Sequence, residues 1–489
     1  MKVKLEDLLL LVAKYDKFSL AKIKKAYLYA TDKHSHQFRE SGEPYIIHPL
    51  SVALILAQLN ADADTICAGL LHDVIEDTDT KKEEIIEEFG ETVATLVMGV
   101  TNLTKMSFYD KKTIDNANLR KLILGMTKDV RIIIIKLADR LHNMMTLQYK
   151  KNVLKQQAKS IETMEIYVPI AQYLGLDNIK TELEDRCFMY LKPENYKEIS
   201  EIRNNLEKRT ENLKKEVILK INKILNYHNI DSEVRFRLKG IYSIFKCFLK
   251  NENLDEIHDL LAFIVVLNDI DDCYISLRYI HENFKHIPKY LKDYIGQPKQ
   301  NLYRAVHTTV VGPNNKLIQM QLKTHNMDQI AQYGITEFWH DDIKNGTSKM
   351  QESLKTQYPL FRSIIEANKM ANNNQEFVNL LKGELAEKIE VLANDGNIIE
   401  IAEGSTPIDF AYKIHSELGN NMAAALVNGN YVAFNYPLKK GDRVRIITDI
   451  SATGPTEEWL HWSVTERAHK KIREFLNHQK RDLHLTRSP

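Results

Sequence analysis

The sequence predicts a multidomain protein in which an all-helical domain comes first, a mixed α/β domain follows, and a small β-rich module comes last. Its 489 residues correspond to about three domains at roughly 100–200 residues per domain. Apolar residues recur at three- and four-residue spacing through the N-terminal part, as between Leu50 and Leu59, and this spacing is typical of helices. From about residue 231, short runs rich in β-branched or alternating residues indicate strands.

The composition excludes several classes of protein. Lys and Arg total 67 against 66 Asp and Glu, so the net charge gives no argument for nucleic-acid binding. The 4 cysteines include no C-x-x-C pair, which argues against a disulfide framework and a thiolate zinc site. No run approaches the roughly 20 apolar residues of a membrane span, and Glu6 and Asp7 beside the N-terminal apolar run argue against a signal peptide. We therefore expect a cytoplasmic protein with no membrane association.

Changes in sequence character place the domain boundaries. The predicted segments are a helical domain over 1–199 and a mixed domain over 200–345, followed by a helical linker over 346–385. A β-rich module over 386–449 and a polar, mildly basic tail over 450–489 come last. A charged amphipathic helix over about 200–228 is expected to join the first two domains.

Strands are predicted where the runs VRFRLKG, LLAFIVVL and KLIQMQLKT occur. In the last module, an Asn-Asp-Gly turn between KIEVLA and IIEIA predicts a hairpin. The run DFAYKIHSELG predicts a helix that ends at Gly419, and YVAFN and RVRIIT predict two further strands. The module is therefore expected to be a small sheet with one helix.

The first candidate site centres on the run AGLLHDVIEDTDT around His72. Residues four apart share a face of a helix, so His72 is expected to stack with Glu76, and Asp73 with Asp77. Adjacent His72 and Asp73 can still reach one metal ion from neighbouring faces. Glu76 and Asp77 then remain as carboxylates beside the metal, available for general acid–base chemistry.

Two further residues complete this candidate metal site. His48 precedes Pro49 at a predicted helix start, and Asp139 follows the apolar run Ile132–Ile135, which predicts a buried segment. A buried carboxylate needs a cation or a metal as partner. Two imidazoles and two carboxylates suit a borderline divalent metal such as Mn²⁺ with room for water.

The sequence around these residues resembles the HD hydrolase domain of the long RelA/SpoT homologues, the bifunctional (p)ppGpp synthetase–hydrolases. The resemblance covers residues 34–190 and rests on the strings RESGEPYIIHP, LLHDVIEDT, FGETVATLVMGVT, KLADRLHNM and ETMEIYVPIAQYLGL. It implies an all-helical metal hydrolase domain. The implied reaction is hydrolysis of the 3′-pyrophosphate of ppGpp or pppGpp to GDP or GTP plus pyrophosphate.

The resemblance also implies roles for individual residues. Those corresponding to the Mn²⁺ ligands are His48, His72, Asp73 and Asp139. Glu76 and Asp77 correspond to the acidic pair that positions or activates the attacking water, a pair that synthetase-only relatives lack. Those lying where the family contacts the nucleotide are Arg39, Ser41, Asn143 and Thr146. The positions where a positive charge is usual in the family but absent here are Glu40, Asn102, Met145 and Tyr173, so phosphate affinity is expected to be weaker.

Residues 231–342 resemble the family's nucleotidyltransferase-like synthetase domain. Arg237, Lys239 and Ser243 match the family's ATP-side positions. Asp259 matches its Mg²⁺ ligand, and Tyr303 matches the tyrosine that stacks on guanine. The catalytic Glu of the family is Gln319 here, which cannot accept a proton as a carboxylate does. The further departures from the family pattern are Cys247, Ile264, Leu302, Gln332 and Phe338. We therefore expect synthesis to be lost or very weak, with Mg²⁺ needed only if it persists. Two interpretations of the domain stay open: it serves only as a scaffold for the hydrolase, or its pocket still binds GDP or GTP through Tyr303 and reports that binding to the hydrolase.

The last module resembles a TGS domain, a small β-grasp-like fold, through TPIDFAYKIH and the LKKGD turn. In long relatives this module contacts tRNA on stalled ribosomes, and His415 is the candidate contact or a surface histidine without a ligand. The chain ends soon after it, so we expect a member without the later helical, zinc-finger-like and ACT regions.

Three alternatives to a hydrolase with a degenerate synthetase domain remain open. One is a bifunctional enzyme that also makes (p)ppGpp, against which Gln319 and Cys247 argue. Another is a non-catalytic nucleotide or tRNA sensor, against which the complete set of metal-ligand candidates argues. The last keeps the metal site but acts on a different nucleotide phosphate, for instance NADPH.

Overall fold

The chain folds into two units in this computed structural model. The structure describes residues 3–104, 129–250, 253–254, 256–299, 301–338, 359–371, 388–449 and 451–485, with a few single residues between these ranges. One unit comprises residues 1–106 and 128–358, and the other comprises 107–127 and 359–489. Most of the predicted linker over 346–385 lies outside the described residues.

The N-terminal region is helical, as predicted. Its helices are Leu5–Leu11, Lys17–Lys33, Ile47–Gln58, Ala63–Leu71, Val74–Asp77, Lys82–Phe89, Glu91–Thr104, Val130–Met145, Val153–Glu162, Val168–Tyr173 and Asp177–Leu191, with a π-helical turn at Thr163–Tyr167. The apolar run Ile132–Ile135 lies in the buried helix Val130–Met145, which starts at an Asp129 cap that accepts from the Arg131 amide. Burial of this helix holds Asp139 inside the domain.

Two helices follow where one was predicted over about 200–228. They are Pro193–Arg209 and Glu211–Tyr227, and the prediction of a single helix is wrong. The break lies at Thr210, whose hydroxyl bonds back to the Leu206 carbonyl at 2.8 Å. This is the local bonding by which Thr competes with regular helix geometry.

The mixed domain is built on a five-stranded sheet. Its strands are β1 Glu233–Leu238, β2 Leu261–Leu267, β3 Lys292–Asp293, β4 Val306–Val311 and β5 Leu317–Thr324, in the order β1-β2-β5-β4-β3. Only β2 and β5 run parallel within this sheet. The helices that accompany it are Ile241–Leu249, Ile270–Asn283 and His325–Tyr333.

The helical and mixed domains belong to the same unit and are joined by direct hydrogen bonds. Asn301 donates to the Gln172 carbonyl at 3.2 Å, and the Ile335 amide donates to the Leu174 carbonyl at 2.9 Å. Both acceptors lie at the end of the helix Val168–Tyr173 or just after it.

The second unit carries a small mixed sheet. Its strands are β6 Lys388–Ala393, β7 Ile398–Ala402, β8 Met422–Val427, β9 Asn430–Val432 and β10 Arg443–Thr448, in the order β7-β6-β10-β8-β9. The predicted hairpin is present as antiparallel β6 and β7, with Gly396 in the turn at φ 88°. Its helices are Pro359–Met370, Pro407–Ile414, Ser416–Asn420, Trp459–Trp462 and Glu466–Leu485.

Two details of this unit differ from expectation. The predicted single helix through Gly419 is wrong, because extended backbone at His415 (φ −151°, ψ 143°) separates two shorter helices. The polar tail also contributes to the core, since Trp459 and Ile472 pack in one buried cluster with Tyr412. The predicted order of a helical domain, a mixed domain and a small β-rich module is confirmed.

None of the helices that the structure describes has the length and apolar character of a membrane span.

Candidate active site

The metal-ligand candidates His72 and Asp73 lie at a break between two helices. The helix Ala63–Leu71 ends just before them and the short helix Val74–Asp77 begins just after them. The expectation of one continuous helix through this run is therefore wrong. Adjacent side chains on a continuous helix point about 100° apart, and the break lets both of these side chains face one point.

Four side chains meet at this point, and we call His48, His72, Asp73 and Asp139 the metal-ligand cluster. The His48 Nε2 atom lies 3.3 Å from Asp139 Oδ1 and 3.5 Å from Asp73 Oδ2. The His72 Nε2 atom lies 3.2 Å from Asp73 Oδ1 and 3.9 Å from Asp139 Oδ1. Ligand atoms of His48, His72 and Asp139 all lie within 4.8 Å of one another, so one ion can reach all of them.

The hydrogen bonds of His72 leave one ring nitrogen free for an ion. Its Nδ1 atom lies 2.8 Å from the Gly69 carbonyl, which can only accept, so Nδ1 carries the proton. The Nε2 atom is buried and makes no hydrogen bond. A buried, bare imidazole nitrogen beside two carboxylates is the donor arrangement that a divalent metal needs.

Asp139 is held by neighbours on its own helix. Lys136 Nζ lies 2.6 Å from Oδ2, and Asn143 Nδ2 lies 2.5 Å from Oδ1. Burial opposes ionisation of Asp139, but Lys136 and His48 hold its pKa well below the usual range. The carboxylate is therefore charged and ready to bind a cation. Lys136 was not predicted, although its position three residues before Asp139 puts both on one helix face.

The acidic pair Glu76 and Asp77 lies beside the metal-ligand cluster. Burial, then the charges of Asp73 and Asp77, raises the pKa of Glu76. Its Oε2 atom is buried without a hydrogen-bond partner. The Tyr45 hydroxyl lies 2.8 Å from both Asp73 Oδ2 and Asp77 Oδ2, so it links a metal-ligand candidate to the acidic pair. Tyr45 was not predicted either.

Three of the four nucleotide-contact candidates lie together. Arg39 Nη2 lies 3.2 Å from Asn143 Oδ1 and 3.4 Å from Thr146 Oγ1. Ser41 lies in the adjacent turn, where its hydroxyl donates to Glu43 at 3.3 Å. These polar side chains lie next to the metal-ligand cluster, because Asn143 also donates a hydrogen bond to Asp139.

The structure locates the residues at which this site departs from the family pattern. Glu40 is exposed and lies 3.7 Å from Lys150 Nζ, so its charge is partly balanced. Met145 ends the helix Val130–Met145, and Tyr173 ends the helix Val168–Tyr173. Asn102 lies in the helix Glu91–Thr104, and its side chain falls outside the described residues.

A further histidine, His142, which was not predicted, lies behind His48. The two Nδ1 atoms of His48 and His142 are 2.7 Å apart. Burial, then the nearby His48 and Arg39, lowers the pKa of His142 to about 3. His142 is therefore a neutral imidazole in contact with a metal-ligand candidate.

Comparison with known proteins gives three matching family models along the chain. They are an HD domain over residues 26–177, the region found in RelA / SpoT proteins over 236–345, and a TGS domain over 389–448. A guanosine-3′,5′-bis(diphosphate) 3′-pyrophosphohydrolase of Aquifex aeolicus is 43% identical over 98% of this chain and 68% of its own length. The chain belongs to the RelA/SpoT family.

Two other relatives of this RelA/SpoT family member carry names that include synthesis of the nucleotide or a pyrophosphokinase. A GTP pyrophosphokinase of Myxococcus xanthus and the bifunctional (p)ppGpp synthase/hydrolase SpoT of Escherichia coli K12 are each 38% identical over 95% of the chain. The chain spans 61% and 66% of their lengths. Among solved structures, the small alarmone synthetase 1 from Bacillus subtilis is 18% identical over 34% of this chain and 97% of its own, with a TM-score of 0.25, too low to support a conclusion. The predicted family and its HD, RelA/SpoT and TGS regions are confirmed.

The RelA/SpoT region brings together several of the predicted synthetase residues. Strand pairing aligns Arg237 with Ala262 and Ala262 with Gln319, so Arg237 and Gln319 share one row of the sheet. Lys239 Nζ lies 2.5 Å from Asp259 Oδ2. Burial opposes ionisation of Asp259, but Lys239 lowers its pKa below the ordinary value. Ser243 is on the helix Ile241–Leu249.

Around Gln319, neutral side chains satisfy one another. The Tyr303 hydroxyl lies 3.2 Å from Gln321 Oε1, and Gln321 Nε2 donates to Gln319 Oε1 at 2.7 Å. Lys323 Nζ lies 5.1 Å from the Tyr303 ring centre, and burial lowers the Lys323 pKa to about 8. The Lys323 ammonium group thus lies over one face of the Tyr303 ring.

The remaining departures of the RelA/SpoT region are also located. Leu302 has φ 61°, in the left-handed region that favours glycine. Ile264 pairs with Gln321 across β2 and β5, and Gln332 donates to Asp328 at 2.6 Å. Cys247 is half-buried on the helix Ile241–Leu249, and the side chain of Phe338 falls outside the described residues.

In the TGS domain, His415 caps the helix Ser416–Asn420. Its Nδ1 atom accepts from the Glu417 amide at 3.3 Å, and its side chain is 67% exposed. The break in the helix therefore presents this imidazole at the surface of its unit.

Proposed function

We propose that the chain is a cytoplasmic, Mn²⁺-dependent hydrolase that removes the 3′-pyrophosphate of ppGpp or pppGpp, giving GDP or GTP plus pyrophosphate. The metal-ligand cluster carries the proposal, because two imidazoles and two carboxylates converge there and His72 presents a bare, buried Nε2 atom. Support also comes from the Aquifex aeolicus relative named as a 3′-pyrophosphohydrolase.

The roles of the residues follow from their chemistry. His48, His72, Asp73 and Asp139 would hold the metal, which supplies Lewis-acid polarisation and a more acidic bound water. Glu76 would accept the proton of the attacking water at its buried, unpartnered Oε2 atom.

Asp77 is the second member of the acidic pair. Its Oδ2 atom lies 2.8 Å from the Tyr45 hydroxyl, which also contacts Asp73. This shared hydroxyl links a metal-ligand candidate directly to the acidic pair. We propose that Asp77 orients the water that Glu76 deprotonates.

The nucleotide is proposed to lie against Arg39, Ser41, Asn143 and Thr146. Arg39 supplies the positive charge, and its contacts with Asn143 and Thr146 hold the guanidinium in place beside the metal-ligand cluster. Charge-assisted hydrogen bonds from arginine to phosphate are strong and directional. This arrangement favours a phosphorylated nucleotide over an uncharged substrate.

We propose that pyrophosphate transfer in the RelA/SpoT region is lost or very weak. Gln319 is neutral and already hydrogen-bonded to Gln321, so it cannot activate a ribose hydroxyl as a carboxylate does. The alternative is a bifunctional enzyme that uses ATP and Mg²⁺, and the retained Asp259, Lys239 and Tyr303 favour it, as do the relatives named pyrophosphokinase and synthase/hydrolase. We propose that GDP or GTP binds at Tyr303 whether the synthetase activity is lost or retained.

The TGS domain is proposed to contact tRNA or the ribosome through the exposed His415. Filter binding of deacylated tRNA to the full chain tests this. We expect binding that weakens in His415→Ala but not in a variant of the exposed His461. Equal binding by all three proteins would contradict the assignment.

Two variants test the hydrolase proposal. Asp73→Ala is expected to abolish ppGpp turnover with Mn²⁺, because a lost ligand disturbs metal geometry and water activation. Glu76→Gln is expected to keep Mn²⁺ binding but to lower kcat by about 10²–10⁴. Glu87→Gln, an exposed change on the helix Lys82–Phe89, is the control. Wild-type turnover in Asp73→Ala would reject the metal assignment, and wild-type kcat in Glu76→Gln would reject the role of Glu76.

A further inference from the structure

The contact between His48 and His142 sets the orientation of a metal-ligand candidate. Their Nδ1 atoms are 2.7 Å apart, a hydrogen-bond distance, and their ring centres are 4.9 Å apart. Both side chains are buried, with 2% and 7% of their surface exposed. A nitrogen–nitrogen hydrogen bond needs one protonated and one bare atom, so the two rings must carry complementary tautomers.

The other nitrogen of His48 decides which ring donates. The His48 Nε2 atom faces Asp139 Oδ1 at 3.3 Å and Asp73 Oδ2 at 3.5 Å, inside the metal-ligand cluster. An imidazole that binds a metal through Nε2 keeps its proton on Nδ1. His48 Nδ1 is then the donor, and His142 Nδ1 is the bare acceptor.

We propose that His142 is a positioning residue that accepts the Nδ1 proton of His48 and so fixes the tautomer and ring orientation in which His48 Nε2 faces the metal. The inference rests on the metal assignment of the proposed function. His72 is oriented in the same way by a different acceptor, the Gly69 carbonyl at 2.8 Å. The two histidines of the cluster are therefore held by two different kinds of acceptor.

The kind of acceptor matters for the chemistry of the metal. A carboxylate behind a metal-bound histidine would add a full negative charge, whereas a neutral imidazole or a carbonyl adds none. Both histidines of the cluster would thus be oriented toward a bound metal by outer partners that do not lower its effective positive charge. A metal with more retained charge makes its bound water more acidic.

Mn²⁺ titration of the purified full chain, stripped of metal and followed by calorimetry, tests the positioning role. His142→Phe keeps a ring but removes the acceptor, and it is expected to raise the Mn²⁺ dissociation constant by about 10–100-fold, the usual effect of losing an outer partner of a metal ligand. His142→Asn keeps an acceptor oxygen close to the position of Nδ1 and is expected to bind Mn²⁺ nearly as tightly as the wild type. His36→Phe, at an exposed histidine, is the control for the substitution itself.

The outcomes separate the two proposals. If the wild type does not bind Mn²⁺, the metal assignment and the role of His142 both fall. If the wild type binds Mn²⁺ and His142→Phe binds equally well, only the role of His142 falls. Equal weakening in His142→Phe and His142→Asn, with unchanged melting of both metal-free proteins, also overturns that role.

A measurement on the wild type covers the case in which His142→Phe does not fold. In protein labelled with ¹⁵N-histidine and loaded with diamagnetic Zn²⁺, the nitrogen shifts report which ring atom carries the proton. We expect His48 to be protonated at Nδ1 and His142 at Nε2. A His142 ring protonated at Nδ1 overturns the proposal.

Discussion

The substitution Glu162→Gln should destabilise the core on which the metal-ligand cluster is built. Arg140, the residue after Asp139, places Nη2 at 2.7 Å from Glu162 Oε1 and Nη1 at 3.2 Å from Oε2. Only 6% of the Arg140 surface and 7% of the Glu162 surface are exposed. Lys159 Nζ adds a third contact to Glu162, at 3.0 Å. This carboxylate therefore neutralises a buried guanidinium.

The geometry gives the size of the effect. Removing one partner of a buried ion pair costs about 3–5 kcal/mol, because the other charge stays buried and unpaired. The glutamine side chain of the variant would still accept one hydrogen bond, and Arg140 keeps its 3.0 Å contact with the Tyr167 hydroxyl. We therefore expect a loss near the lower end, about 3 kcal/mol. The pair of half-buried Arg186 with exposed Glu182, at 3.5 Å, is the matched control, and Glu182→Gln should cost at most about 1 kcal/mol.

Hydrogen exchange resolves this effect within a chain of several domains. The opening free energy of peptides from the helix Val130–Met145 should fall by about 3 kcal/mol in Glu162→Gln and hardly at all in Glu182→Gln. A fall below about 1 kcal/mol in Glu162→Gln, the value for an exposed pair, would refute the reasoning.

The same pair predicts a pH dependence with a definite sign. Burial opposes ionisation of Glu162, but Arg140 and Lys159 lower its pKa below the ordinary value. A lowered pKa in the folded state gives stability that is fully present above the unfolded pKa of about 4.3. That stability is lost as the pH falls through the folded pKa. The difference between wild type and Glu162→Gln should be constant from about pH 6 to 8 and shrink below about pH 4.

Two further substitutions have expected effects of definite direction. Tyr45→Phe removes the hydroxyl at 2.8 Å from Asp73 and Asp77, so the Mn²⁺ dissociation constant should rise by about 10–100-fold; unchanged affinity in calorimetry would contradict the link. Leu302→Gly should stabilise the RelA/SpoT region, because a left-handed leucine costs about 1–2 kcal/mol and φ is 61° there. The melting temperature of Leu302→Gly should rise by about 2 °C, while that of Leu302→Ala, which keeps the same backbone strain, should not rise. Equal melting temperatures of the two variants would show that the backbone at this position is not strained.

Much of the metal-ligand cluster could be predicted because its members lie in short, contiguous motifs. His72 and Asp73 are adjacent, and His48 and Asp139 each sit beside an apolar helical run. The break between two helices at His72 could not be predicted, since the apolar spacing is helical on both sides.

The residues that support the cluster were harder to find from sequence. Tyr45 lies three residues before His48 and His142 three residues after Asp139, so each is within one helical turn of a metal-ligand candidate. Their contacts, however, join distant segments, Tyr45 with Asp73 and His142 with His48, and the sequence does not show those pairings. Strand β8 was also missed, because its run MAAALV is rich in alanine, a good helix former. Pairing with β10 over Ala424 to Val427 overrides that propensity.

A paired assay on the purified chain tests the central claim most directly. One reaction contains ppGpp and Mn²⁺, the other contains ATP, GDP and Mg²⁺, and chromatography resolves the nucleotides of both. We expect GDP and pyrophosphate from the first reaction and no ppGpp from the second, because His48, His72 and Asp139 converge on one point and Gln319 is neutral. Robust ppGpp from the second reaction would establish the bifunctional alternative, and an inert first reaction would contradict the hydrolase itself.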